Sequence, residues 1–256
     1  MRIITGFHAI EEILRSVQDA ASLECCDRKR LKILYAKEGP RVKKILAQAH
    51  SLAIAAEYTT RERLQQLAAS LPDYLQDHRG IVLVDESDSH KADHTHADAL
   101  LAELYTREKA VVVALDSITD PHNIGAIIRS ADQFAVDAVI LPERNSAGGF
   151  QTISRSSSGA AAWVPLIHTA NLVRTIEQLK AHGFWVFGAD ASGSPLPEIE
   201  FPEKVALIMG SEGAGIGRLL RKSCDFLISI PTNGRLDSLN VSVAAGILMY
   251  EIHKNR

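Results

Sequence analysis

The stretch VALIMGSEGAGIG, residues 205–217, decides how the second half of this chain is read. Val205 to Met209 is an unbroken apolar run of strand length, the pattern of a strand buried on both faces. It ends in a loop holding Gly210, Gly213, Gly215 and Gly217, whose missing side chains let backbone N–H groups approach a ligand closely. The order G-x-x-G-x-G-x-G is not the dinucleotide spacing G-x-G-x-x-G, and no Lys-Ser/Thr pair of a phosphate loop accompanies it. Glu212 inside the loop would repel a pyrophosphate, which tilts the ligand toward something cationic.

Working outward, comparable apolar runs predict strands at Val111–Leu115, Ala138–Leu141, Val164–Ile167, Phe184–Phe187 and Phe226–Ile230. Helical patterns lie between several of them, as in Asn171 to Ala181, stopped by Gly183. A last helix, from about Leu239 to Lys254, carries Val243, Ile247 and Tyr250 near one face. Apolar strands alternating with helices predict an α/β domain with a mostly parallel sheet covered on both faces. Ligands bind such sheets at loops beyond the strand C-termini, so those loops are where chemistry is expected.

Two more of these loops hold unusual residues. After the strand at 111–115 comes DSITDPHNIGAIIRSA, residues 116–131, in which Asp120 can cap a helix that starts at Pro121. Asn123 and Arg129 are about 600° apart around that helix, so they do not share a face. One site for both needs the turn or a partner subunit to join them; the plain alternative is a capped helix with an outward arginine. After the last strand comes ISIPTNGRLDSLNVS, residues 228–242, where Ser238 is the expected N-cap. Capping does not then account for Asn240 in the first turn, where a helix former would serve better.

The front of the chain reads as a small α/β domain, residues 1–84. Helices are expected over Gly6–Val17, Val42–Leu52 (Lys43 and Lys44 outward) and, opened by a Thr59/Glu62 capping box, up to Ala69. Strands are expected at Leu31–Ala36 and Ile81–Val84. Residues 85 to about 98 are polar and acidic without periodicity and read as a linker, which places the domain junction at 85–105 and the second domain at 106–256. His90, His94 and His96 lie in that linker, but no acidic or cysteine partner sits at metal-ligand spacing, so no metal site is expected.

With 46% hydrophobic and 23% charged residues, the composition is that of a globular protein. No run approaches the ~18 apolar residues of a membrane helix, and the opening residues lack a signal peptide's h-region. Cys25, Cys26 and Cys224 form neither a disulfide framework nor a metal set, which favours the cytoplasm. Net charge is −3, but its distribution is uneven: 13 basic against 10 acidic residues over 1–80, 3 against 7 over 81–109, and 12 against 14 beyond. That pattern is compatible with RNA binding without pointing to it.

Three segments together, DPHNIGAIIRSAD at 120–132, IMGSEGAGI at 208–216 and LISIP…SLNVSVAAGI at 227–247, resemble the SpoU (TrmH-like) family of RNA ribose 2'-O-methyltransferases. The resemblance covers about residues 110–256. It reaches the front more weakly, where GFHAI at 6–10 and HRGI at 78–81 resemble the ends of the small RNA-binding domain of the RlmB-type subgroup, itself similar to ribosomal protein L30e. It implies a trefoil-knotted (SPOUT) domain with an L30e-like domain before it, S-adenosylmethionine as methyl donor, RNA as substrate and a homodimer formed through the catalytic domain. A guanosine of 23S ribosomal RNA is the leading target, with a transfer RNA ribose or a non-catalytic RNA-binding relative as alternatives. A nucleotide-binding oxidoreductase fails on the glycine spacing.

By the same resemblance the catalytic set falls on Asn123, Arg129, Glu212, Ser238 and Asn240, and the cofactor contacts on Gly210, Ile230 and Leu239. An arginine pKa of ~12.5 or above argues for Arg129 as a cation that stabilises charge, not as a general base. Residues 145–159, rich in small polar side chains, are expected to meet RNA, with Trp163 expected in the core. Relatives commonly carry a glutamate and a smaller residue where this chain has Ala162-Trp163, which leaves the target nucleotide open.

Overall fold

The computed structural model describes residues 2–19, 30–69, 71, 76–86, 91–143, 157, 160–235 and 238–255. Cys25, Cys26, the polar segments at 145–156, and the side chains of His90, His94 and His96 fall outside that description. The chain forms two compact units, Met1–Ala92 with Gly148–Trp163, and Asp93–Ala147 with Val164–Arg256.

The first unit is a four-stranded sheet in the order β1 (Arg2–Thr5), β4 (Ile81–Asp85), β2 (Leu31–Tyr35), β3 (Ala55–Tyr58). β4 runs antiparallel to both β1 and β2, and β2 runs parallel to β3. Alternation along β4 sends Ile81 and Leu83 to a core shared with Ile10 and Leu14 of α1 (Phe7–Asp19) and Ile45 of α2 (Pro40–Ser51). Val82 and Val84 pack on the opposite face with Leu64 of α3 (Arg61–Ala68). The cap of α3 lies one residue later than the sequence suggested: the Thr60 hydroxyl, not that of Thr59, accepts from Arg63 N at 3.2 Å. Trp163 is not a core residue; it is 37% exposed, and its indole N–H donates to Glu12 of α1 at 2.9 Å.

The second unit is a six-stranded, all-parallel sheet in the order β10-β8-β9-β5-β6-β7. Its strands are β5 (Ala110–Leu115), β6 (Ala138–Pro142), β7 (Leu166–Thr169), β8 (Trp185–Pro195), β9 (Lys204–Met209) and β10 (Phe226–Ser229). Its helices are α4 (Lys91–Thr106), α5 (Pro121–Gln133), α6 (Leu172–Ala181), α7 (Arg218–Ser223) and α8 (Val241–Lys254). β5 is buried along its whole length, as an unbroken apolar central strand requires. α4 corrects the expected linker: Ala97, Leu101 and Leu104, spaced for one helical face, pack into the sheet's core.

β8 is longer than its apolar run predicted, and its register on β10 is broken. Phe187 and Gly188 pair with Phe226 and Leu227, while Ser194 and Pro195 pair with Ile228 and Ser229. Residues 189–193 therefore leave the ladder and loop outward at the C-terminal edge. Gly193 closes the loop so tightly that a Cβ there would lie 2.4 Å from the backbone at Leu227 and Ile228. Among the described residues no helix is long and apolar enough to cross a membrane.

The α3 cap gives a direct check. Thr60→Ala is expected to destabilise the first unit by about 1 kcal/mol, with Thr59→Ala within a few tenths of wild type, measured by urea unfolding of the intact chain.

Candidate active site

The three loops singled out in the sequence converge at the C-terminal ends of β9, β5 and β10. The glycine loop after β9 doubles back on itself: Ser211 and Gly215 exchange backbone hydrogen bonds of 3.1 and 2.9 Å. Gly210 must be glycine, because a Cβ there would sit 2.2 Å from the Gly215 carbonyl carbon. Gly213 and Gly215 take φ of +90° and +66°, the left-handed region in which only glycine is unstrained. The loop's tip, Glu212 to Ala214, is thereby pushed out into solvent.

Glu212 is the meeting point. Its Oε1 accepts from Asn240 Nδ2 at 2.8 Å, from the backbone N–H of Val241 at 3.3 Å and from Asn123 Nδ2 at 3.4 Å. Asn240 Nδ2 also donates to Asn123 Oδ1 at 3.0 Å. One carboxylate oxygen thus ties the glycine loop to the start of α5 and the start of α8. It also takes the first backbone N–H of α8, that of Val241, where the helix dipole favours a negative charge.

The local sequence explains how each partner arrives. Asp120 caps α5 as expected, its Oδ1 accepting from His122 N at 2.9 Å, and Pro121 occupies the first position. That places Asn123 in the first turn. On α8 the expected cap is corrected: Asn240, not Ser238, is the N-cap, its Oδ1 accepting from Ser242 N at 3.0 Å and Ser242 Oγ at 2.6 Å. Asn240 therefore uses its oxygen to cap the helix and its amide to hold Glu212. A single cap residue with both an acceptor and a donor accounts for an asparagine at this position.

Beside this junction lies a cavity of about 820 Å³. Gly210, Ile230 and Leu239 line it, as do Glu212 and Ser238. Asn123 and Asn240 join at its edge through Glu212. Arg129 is not brought in: it lies further along α5, exposed, with no hydrogen bond or ion pair among the described residues. The lining also holds Asp190, from the loop that leaves the β8–β10 ladder. Burial opposes ionisation of Asp190, but hydrogen bonds from the Ser192 hydroxyl and N–H, with the charge of Arg221, hold its carboxyl below the usual range. The described lining carries two carboxylates and no Lys, Arg or His; Asp190 is paired with Arg221, so Glu212 supplies the uncompensated negative charge, which suits a cation and not a pyrophosphate.

Sequence reasoning missed Asp190 and Asp116. Asp190 was findable, since residues 189–193 follow an expected strand as the other three loops do. Asp116 accepts from Gly217 N at 2.7 Å and so anchors the far end of the glycine loop to the end of β5. Its neighbour Ser117 takes φ +58°, uncommon for a non-glycine residue. Nothing in the spacing of a lone aspartate announces such a bridge between residues a hundred positions apart. Among the described residues no cluster of His, Cys, Asp and Glu could hold a metal.

The dual role of Asn240 can be separated by substitution. Asn240→Asp keeps the capping oxygen but loses the amide donor and faces Glu212 with a like charge. Asn240→Ser keeps a capping oxygen without that repulsion. The aspartate variant is expected to be the less stable, by about 1 kcal/mol, in urea unfolding; equal stabilities would remove the Asn240–Glu212 bond from the account.

Two families of known proteins match successive stretches of this chain. Residues 110–250 match the SpoU rRNA Methylase family, and residues 3–84 match the family described as RNA 2'-O ribose methyltransferase substrate binding. The 23S rRNA (guanosine-2'-O-)-methyltransferase RlmB of Neisseria meningitidis is 38% identical, over 100% of this chain and 96% of its own length. That of Coxiella burnetii is 36% identical, over 100% and 96%. Among solved structures, the SpoU methyltransferase AviRb from Streptomyces viridochromogenes, in complex with AdoMet, superposes with a TM-score of 0.74 at 22% identity, covering 98% of this chain and 89% of that one. An AdoMet-bound rRNA methyltransferase from Sinorhizobium meliloti gives 0.69 at 23%, covering 98% and 97%. At those identities the likeness is one of fold.

Proposed function

This chain belongs to the SpoU family of RNA methyltransferases, and from that membership we propose that it transfers a methyl group from S-adenosylmethionine to the ribose 2'-hydroxyl of a guanosine in 23S ribosomal RNA. The observation that carries the reading is the anionic cavity at the three-loop junction. Adenosylmethionine bears a sulfonium and an ammonium against one carboxylate, so the charge of Glu212, beside the Arg221-paired Asp190, suits it as it would not suit NAD. The donor supplies an already activated methyl group. Gly210 offers close backbone approach, and Ile230 and Leu239 offer apolar cover.

The protein's remaining tasks are alignment and charge. The 2'-oxygen must meet the methyl carbon in line with the breaking carbon–sulfur bond; the sulfur leaves as a neutral thioether, and the hydroxyl proton passes to solvent. Holding the two reactants in that geometry lowers the barrier by several kcal/mol or more. Asn123, Ser238 and Asn240 orient the nucleotide or the loops around it. Arg129 stabilises the developing alkoxide as a cation.

Arg129 points to the assembly we propose, a homodimer through the catalytic domain. Val243, Ile247 and Tyr250 of α8, expected together on one face, are exposed at 51, 37 and 52%. That face adjoins α5, which carries Arg129: Phe134 packs on Tyr250 with ring centroids 5.8 Å apart. A second copy covering the face would remove those side chains from water and set an Arg129 near a neighbouring junction. The knotted passage of the chain, the division into an RNA-gripping domain at 1–84 and a catalytic domain at 106–256, and cytoplasmic residence belong to the same proposal.

Three measurements check it. Calorimetry is expected to show binding of adenosylmethionine and none of NAD; the reverse would overturn the reading. With purified 23S ribosomal RNA and labelled donor, methylation is expected on a guanosine ribose, and methylation of transfer RNA alone would overturn the target. Arg129→Lys is expected to lower kcat by tenfold or more with donor affinity unchanged, whereas near-normal turnover would remove a specific guanidinium role.

A further inference from the structure

The first unit holds a cavity of about 610 Å³ far in sequence from the three loops, lined by Ala36, Lys37, Arg61, Gln65 and residues 76–80. An adjoining cavity along α3 shares Arg61 and Gln65 and adds Glu62, Gln66 and Ala69. Three cations therefore meet one carboxylate, Asp77, in the larger cleft.

Each cation is placed in a way that stability alone does not explain. Arg61 is the first residue of α3, where the helix dipole disfavours a positive charge. Its side chain, like that of Lys37, makes no hydrogen bond or ion pair among the described residues. Arg79 takes φ +49° where glycine would be unstrained. Asp77 does not neutralise it fully: Oδ2 accepts from Arg79 Nε at 3.0 Å, and the two terminal guanidinium nitrogens are left to the cleft. That pairing fixes the plane of the fork, as bidentate recognition of a phosphate requires.

The wall behind these groups is rigid. Gly80 O accepts from Ala36 N at 2.9 Å, so the turn carrying Arg79 is held against the segment carrying Lys37. His78 is 4% exposed, and its Nδ1 accepts from Gly80 N at 3.1 Å, which leaves Nε2–H as a buried donor on the cleft wall. Burial first, and then the charge of Arg61, hold the imidazole below its ordinary pKa, so it stays neutral and adds no charge near pH 7. Gln65 adds an exposed amide able to bond a ribose hydroxyl or a base edge.

We propose that this cleft, through Lys37, Arg61 and Arg79 with Gln65 beside them, is where the first unit grips the phosphate backbone of the RNA substrate. The inference rests on the reading of the chain as an RNA methyltransferase and adds to it which face of the unit makes contact. Phosphate contacts of this kind fix register and orientation and leave sequence choice to other groups.

The test uses the full chain, protein-free 23S ribosomal RNA and adenosylmethionine. The Lys37→Ala/Arg61→Ala double variant is expected to bind RNA at least tenfold more weakly at 0.15 M salt. Its plot of log K against log salt should be shallower by ~1.4 to 1.8, from ~0.7 to 0.9 per phosphate contact. The KM for RNA should rise while kcat at saturating RNA and adenosylmethionine affinity are retained. Arg79→Gly separates function from folding: it relieves the positive-φ strain, so Tm should hold or rise while RNA affinity falls. Unchanged RNA affinity and salt slope in both variants, with wild type binding and methylating RNA, would overturn the cleft alone. A wild-type protein that binds adenosylmethionine but no RNA would overturn the parent reading and the cleft with it.

Discussion

The site depends on a single carboxylate oxygen. Glu212 Oε1 receives donors from two asparagines and one backbone N–H, and so joins its own glycine loop to the starts of α5 and α8, three segments distant in the chain. Each segment alone is an ordinary helix start or tight turn. Joined at Glu212, they become three walls of one cavity. The carboxylate also neutralises the positive end of α8, which would otherwise offer an anion site beside a cavity suited to a cation. The same group thus builds the site and sets its charge.

The sheet makes that junction possible. β5, β9, β8 and β10 run parallel, so their C-terminal loops emerge on one edge. Asp116 clamps the end of β5 to the start of α7 through Gly217, and the broken register of β10 on β8 delivers Asp190 to the same cavity. Tight backbone approaches at Gly193 and Gly210 leave no room for side chains, so the geometry is set by main chain and is not easily displaced.

Much of this was legible in the sequence, for identifiable reasons. The central strands carried unbroken apolar runs, and Asp120-Pro121 announced the start of α5. Gly210, Ile230, Leu239 and Glu212, singled out through the family resemblance, line one cavity. What failed were features set by one-residue choices or by tertiary pairing. Thr59 and Thr60 are equally good caps on paper, and Ser238 and Asn240 nearly so; the fold selects one of each pair. β3 was invisible because all four of its residues are exposed and show no alternation. The polar first half of α4 hides the apolar spacing that begins at Ala97, so that stretch of sequence looks like linker. Arg129 stayed apart from the other site residues, as its rotation around α5 foretold.

Glu212 couples the loops into a donor site, and a double-mutant cycle measures that coupling directly. Adenosylmethionine affinity would be determined by calorimetry for wild type, Glu212→Ala, Asn240→Ser and the double variant; serine keeps a capping oxygen on α8. A coupling energy of about 1 kcal/mol or more is expected between the two positions, as for residues in direct contact. Strict additivity, within ~0.3 kcal/mol, would mean that the two residues act independently and that the carboxylate does not hold the site together.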